Sequence, residues 1–313
     1  MKQQRPNQTE KKKPAWQGKW QSILARSFDF CLGPVEALPL RVFEIWMAAA
    51  FLLRLTRNFP VAEWLTEEGF HLTSAEWQQL GYPPSFPLLP LWGAYLFLAA
   101  TLGAAVLLVL SLRYRRLALA ALFGSALYVQ GADYLTSFSA NKEFIAVFFL
   151  LATGPGIWRK AVSGRLMVSA ATLRAMQATL LTIYLTAGWS KCAPGDWLKH
   201  SDTLWTQMQG FHRTDAAAWA LRNLPMWAWA AMQYTALFFE VFAPILIGWR
   251  RLRPIGFVLG IGMHLMIALF MKNLIYFSFH MCGYYALFVT ADQWRRVAEW
   301  FQARFGSGRW ITG

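Results

Sequence analysis

The segment YLTAGWSKCAPGDW, Tyr184 to Trp197, sets a lysine at the end of an apolar run and follows it with a Pro-Gly turn and a tryptophan. A charged group within hydrocarbon is unfavourable by about 2.5 to 3.5 kcal/mol on insertion scales, so a lysine here is either an interfacial anchor or a working group. Lys191 has company. Asn141, Lys142 and Glu143 follow one another beside another apolar run, His264 and His280 fall inside two later ones, and Arg54, Asp133, Glu44 and Glu240 lie in or next to others. An amine, imidazoles and carboxylates in a partly dry site suit proton transfer, because desolvation disfavours whichever form is charged. Lys191 is the candidate general base. Taken singly, each of these residues also has a plain reading as a snorkelling side chain or an interhelical pair.

Other chemistries find less support. His264 and His280 stand on different runs and no HxxxH spacing occurs, so no metal is expected. No GxSxG, P-loop or dinucleotide fingerprint is present. Cys31, Cys192 and Cys282 form no CxxC pair, and their odd number argues against a disulfide framework.

The elements that must position these groups follow from composition. Of 313 residues, 56% are hydrophobic and only 15% charged, with 17 Trp and a mean hydropathy of +0.31, a balance that implies an integral membrane protein. The net charge of +14 sits in short clusters between apolar runs, the pattern of loops in a multispan protein, which excludes a nucleic-acid binder. Apolar runs at 36–57, 88–112, 117–137, 143–158, 172–192, 225–248, 254–271 and 274–291 are each near the length a bilayer requires. The fold class expected is therefore all-α, a polytopic bundle of about eight transmembrane helices.

Lys and Arg collect on alternate connections. One set holds the N-terminal clusters, Arg113 to Arg116, the 159–174 group, Arg250 to Arg253 and the C-terminal arginines, while the other holds only Lys142, Lys199, Arg213, Arg222 and Lys272. By the positive-inside rule both termini are cytoplasmic and Lys191 faces outward. Two long outer loops, 58–87 with Glu63, Glu67, Glu68 and Glu76, and 193–224 with an apolar stripe of Trp197, Leu198, Leu204, Trp205 and Met208, can roof an outward cavity. The expected organisation is a basic segment with an interfacial helix at 1–35, a transmembrane domain at 36–291, and an amphipathic interfacial helix at 292–313. No cleaved signal peptide is expected, since the polar N-terminus leads into WQGKWQSILARSF rather than an apolar core.

Three segments together carry a family resemblance: Tyr184, Ala187-Gly188, Lys191 and Asp196-Trp197; FSANKEFIAVFFLL; and FFEVFAPILIGWRRLRPIGFVLGIGMHLMIALF, in which Glu240 precedes a basic turn and His264 follows in the next run. The sequence resembles the horizontally transferred transmembrane (HTTM) domain, shared with vitamin K-dependent gamma-glutamyl carboxylase, over about residues 36 to 291. It is also similar to the short bacterial members of the sporulation-delaying protein B group. The resemblance implies Lys191 as general base, Asn141 as a nearby hydrogen-bonding residue, His264 as a second polar group in the pocket, and a quinol such as reduced vitamin K as cofactor. Lys142 stands where the carboxylase pattern has histidine, which puts the carbon dioxide step in question, and no counterpart of the carboxylase's large lumenal domain is expected.

Two functions follow as expectations. One is a carboxylase-like or quinol-oxidising membrane enzyme that works through Lys191 at the outer face, with a peptide as one substrate class. The other is a non-catalytic membrane partner for a secreted peptide or another membrane protein. A transporter ranks behind both, because no pair of Gly/Pro-broken runs repeats between the halves.

Overall fold

The computed structural model describes residues 15–58, 61–69, 71–132, 134, 139–159, 164–193 and 195–305. Asp133, the basic residues before 15 and Arg309 lie outside them.

The chain is all-α apart from one small sheet. Helix α1 (Ala15–Leu32) leads to strand β1 (Pro34–Glu36), and α2 (Leu38–Leu53) continues as a π-helical turn, Arg54–Asn58. A first excursion holds α3 (Val61–Trp64) and α4 (Ser74–Gln79), the latter begun by a capping box between Thr73 and Glu76. The bundle resumes with α5 (Leu91–Leu110), α6 (Arg115–Ala132) and α7 (Ser139–Thr153), then strands β2 (Trp158–Arg159) and β3 (Leu166–Ser169), and α8 (Ala170–Cys192). A second excursion holds α9 (Asp196–Lys199), α10 (Thr203–Met208) and α11 (Asp215–Asn223). The last group is α12 (Met226–Gly248), α13 (Arg253–Phe270), α14 (Ile275–Gly283) with a 3-10 turn at Tyr284–Phe288, and α15 (Ala291–Phe305).

Each expected apolar run is represented by a helix, and among the described residues three of these helices, α5, α12 and α13, are long and apolar enough by length and composition to cross a membrane. The protein is an integral membrane protein, and its packing has that inverted character. On α5 the buried positions are Gly93, Ala94, Thr101, Ala104, Ala105 and Leu108, whereas Trp92, Leu96, Val106 and Leu110 point outward. Small residues face the bundle because close backbone approach, not the hydrophobic effect, holds helices together in lipid.

Two ends can be distinguished. At the sheet end, β3 pairs with both β1 and β2, and α15 is tied to β1 by Arg295 and Glu36 at 2.6 Å. At the loop end lie α3, α4 and α9 to α11. The stripe from Trp197 to Met208 is divided between α9 and α10 rather than carried by one helix, and α10 packs with α11. They build a second core in which Met208, Ala217 and Ala220 bury against Trp229 and Phe270.

Three further details depart from the sequence reading. The sheet was not anticipated, since its strands have only three, two and four residues. The last apolar run is not one helix but changes to 3-10 geometry after Gly283, where a Cβ would meet the Trp46 indole at 2.6 Å. Arg115, read as a loop charge, is buried within α6 and bound to Glu44.

Candidate functional site

Lys191 stands in the last turn of α8, and its position is set by a glycine one turn earlier. A Cβ on Gly188 would lie 2.9 Å from the backbone nitrogen of Val241, so only glycine lets α8 approach α12 this closely. That approach brings the Lys191 ammonium onto Glu240, with Nζ 2.5 Å from each carboxylate oxygen. Pro244, inside α12, has no N–H to offer the Glu240 carbonyl one turn before it, a local break in the helix ladder beside the ion pair.

The cap over the pair is also specified. Gly195, at φ +84°, turns the chain out of α8 in a conformation that side-chain-bearing residues avoid. Gln233, fully buried on α12, then accepts from the Leu204 backbone N–H at 2.9 Å and donates to the carbonyls of Trp197 and His200 at 2.9 and 2.7 Å. The loop so anchored lays the Trp197 ring 4.8 Å from Lys191 Nζ, a cation–π contact. Glu240 is buried while the Lys191 side chain keeps 26% of its surface exposed. The pair is therefore reachable from one side and dry on the other.

Behind it runs a buried polar network. The Tyr184 hydroxyl lies 2.7 Å from His264 Nε2 and 2.8 Å from the Tyr285 hydroxyl. Gly260, one turn before His264, leaves the room that Tyr285 occupies, since a Cβ there would overlap its hydroxyl. Lys191 hydrogen-bonds to Glu240 rather than to His264, yet its charge reaches the His264 ring. Phe239 and Phe277 pack against Tyr184 and His264 and supply the apolar walls.

A second group lies nearer α2. His280 is fully buried, packs against Phe144 in a tilted ring contact with centroids 4.6 Å apart, and has Nε2 3.5 Å from Glu143 Oε2. Arg54, in the π-helical turn, sits 5.0 Å from the Tyr276 ring centre. Asn141 is buried in the first turn of α7. Lys142 beside it is exposed and takes no place in the buried cluster.

The structure thus brings Lys191 and Glu240 into contact and sets His264 behind them. It buries Asn141 and His280 and leaves Lys142 outside. Sequence reasoning missed Gln233 and Tyr285. Gln233 had a signal, because it lies seven residues before Glu240 in an apolar run, two turns away on one face of α12. Tyr285 had none, since its reach depends on the cleft at Gly260. Among the described residues no group of three or more His, Cys, Asp or Glu side chains converges as metal ligands do.

Residues 156–294 match the family model of the HTTM domain. No curated protein and no solved structure matches the chain. The matched segment includes Tyr184, Lys191, Gln233, Glu240, His264, His280 and Tyr285, and stops short of Arg54, Asn141, Lys142 and Glu143. The segment similar to the HTTM domain thus supplies the lysine, its glutamate and both buried histidines.

Proposed function

We propose that the protein is a carboxylase-related membrane enzyme in which Lys191 acts as general base on a quinol-like or other lipophilic hydroxyl compound. The observation that carries this reading is the half-open Lys191–Glu240 pair, one side exposed and the other backed by Tyr184, His264 and Tyr285. An anchor needs no such backing.

The proton chemistry is simple. As placed, Lys191 Nζ donates to the Glu240 carboxylate. In a dry site both charges pay for lost hydration, so the neutral pair, amine and carboxylic acid, becomes accessible. With the proton on Glu240, the Lys191 amine takes a proton from the substrate hydroxyl. The O–H bond breaks, an N–H bond forms, and the resulting oxyanion is stabilised by the new ammonium. Trp197, over Lys191, gives a flat apolar face against which an aromatic ring would lie. In this reading the chain crosses a bacterial inner membrane about eight times, with both termini cytoplasmic and the loop end outward, so that substrate is met at the outer face. A peptide is a further substrate class there.

A non-catalytic partner role has one observation in its favour: Phe211, Trp219 and Trp227 are broadly exposed around the loop end. The test separates charge from basicity. Lys191→Arg and Lys191→Ala, reconstituted in lipid, are compared with the parent for oxidation of reduced vitamin K and for fixation of labelled carbon dioxide into peptide. The enzyme reading expects both variants to fold and both to lose activity, because arginine stays protonated at any working pH. An arginine variant as active as the parent removes Lys191 from the mechanism and leaves the partner role in front.

A further inference from the structure

The sheet end carries a concentration of positive charge that the chemistry above does not use. Arg174 on α8 and Arg253 at the start of α13 meet at the 3-10 turn, since Gln177, which accepts from Arg174, donates to the Leu287 carbonyl at 2.7 Å while Arg253 donates to the adjacent Phe288 carbonyl at 2.8 Å, and Arg250 lies three residues before Arg253 in the turn after α12. Each is held differently. Arg174 stacks over Phe30 of α1 at 4.0 Å and donates to the Phe30 carbonyl and to Gln177 Oε1. Arg253 donates to the carbonyls of Ile247, Gly248 and Phe288. Those acceptors fix the two guanidinium groups without neutralising them. Arg250 is exposed, and Arg251 beside it adds a fourth charge.

The neighbouring carboxylates are already committed. Glu36 takes both Arg165 and Arg295, and Asp292 also pairs with Arg295. Among the described residues no carboxylate forms an ion pair with Arg174, Arg250 or Arg253, so the fold gathers like charges in an arrangement that an anion would relieve. The adjoining surface says which kind of anion. On α12, Phe238, Phe242, Ile245 and Trp249 are exposed at helical spacing and lead directly to Arg250. On α13, Ile255, Val258, Leu265 and Leu269 continue an exposed apolar face away from Arg253. A small inorganic anion has no use for such stripes; an amphiphile has.

We propose that the sheet end holds one anionic phospholipid, its phosphate bound by Arg174 and Arg250 beside the charge of Arg253 and its acyl chains lying along the outward faces of α12 and α13. Arg250 and the remaining guanidinium nitrogen of Arg174 face the phosphate directly, and Arg253 contributes field. The bound lipid screens the three charges from one another and ties α1, α8 and the α12–α13 turn together.

The test is native mass spectrometry of the full chain released from detergent after incubation with phosphatidylglycerol or with phosphatidylcholine of the same acyl chains. One phosphatidylglycerol should stay bound per chain under activation that strips phosphatidylcholine. Each basic residue near an anionic surface contributes about a fivefold preference. Arg250→Gln should therefore lower phosphatidylglycerol retention about fivefold while Arg250→Lys retains most of it. Arg222→Gln, an exposed arginine on α11 at the loop end, should change nothing. Equal retention of the two lipids overturns the proposal. So does an Arg250→Gln variant that holds phosphatidylglycerol as the parent does, or an Arg222→Gln variant that loses it equally. Should Arg250→Gln fail to fold, the two-lipid comparison on the parent decides alone.

Discussion

Two buried glutamates, Glu44 towards the sheet end of α2 and Glu240 in the interior of α12, meet basic residues in opposite ways. Glu44 at the sheet end is fully enclosed, bound by Arg41 at 2.7 Å and by Arg115 through Nε at 2.9 Å and through Nη2. Arg41 also donates to the Leu108 carbonyl at 2.7 Å, so the cluster joins α2, α5 and α6. Glu240 at the other level meets one lysine whose side chain remains 26% exposed. Guanidinium keeps its proton at every accessible pH and its planar fork suits a fixed bidentate bond; an amine can give its proton up. The first arrangement can only hold. The choice of cation is what would let the second pair exchange a proton as proposed, where the first is a clamp.

The sharpest way to break this comparison is to remove one member of each. Glu44→Leu leaves two buried guanidinium groups without a carboxylate, which is expected to be unfavourable by about 3 to 5 kcal/mol, enough to prevent folding of a marginally stable protein. Lys191→Met strands only Glu240, which can take up a proton and so avoid an unpaired charge. Its stability loss should be clearly smaller, with activity gone. Thermal melting followed by size-exclusion chromatography measures both. If Lys191→Met falls apart as readily as Glu44→Leu, the two pairs are of one kind and Lys191 is structural.

Much of this contrast was legible in the sequence, though unevenly. Lys191 was marked by its place at the end of an apolar run, and Glu240 and His264 by charge or polarity inside others. Helix identity followed from apolar length, which the bilayer fixes physically. The Glu44 clamp was not legible, because Arg115 read as an ordinary loop charge until the ends of α2, α5 and α6 are seen to meet. The sheet escaped because two- to four-residue strands carry no periodicity. Gln233 and Tyr285 escaped because their roles depend on partners 29 and 101 residues away in the chain.

The comparison sharpens at the glycine that makes the working pair possible. Gly188→Ala adds a methyl group 2.9 Å from both the Val241 nitrogen and its Cγ2, so α8 and α12 must part. Overpacking of this kind is unfavourable by about 1 to 3 kcal/mol, less than loss of the Glu44 clamp. The functional effect should exceed the stability effect, because Lys191 sits one turn beyond the point of separation. Activity falling with a modest drop in melting temperature is the expected outcome. A variant that melts lower yet works normally would show that the close approach serves packing alone.

A third carboxylate supplies the smallest and most discriminating case. Glu36 also lies between two arginines, Arg295 and Arg165, each at 2.6 Å, but at the partly exposed sheet end rather than inside the bundle. The hydrogen bond from Arg295 holds its carboxyl below the ordinary range, with Arg165 adding to the effect and partial burial opposing it. A depressed folded-state pKa means that the stabilisation is fully present above the unfolded value and is lost as the pH falls through the folded one. Docking of α15 onto β1 should therefore be complete at neutral pH and loosen only as the pH drops below the usual carboxylate range. Glu36→Gln should loosen it at neutral pH. Solvent screening keeps such pairs to about 0 to 1 kcal/mol, so melting temperature should barely move while amide exchange in α15 rises. If Glu36→Gln destabilised the whole bundle as Glu44→Leu does, two flanking arginines would suffice to make a clamp wherever they stand. Unchanged global stability with faster exchange confined to α15 would show instead that enclosure, not the number of arginines, gives the Glu44 cluster its strength.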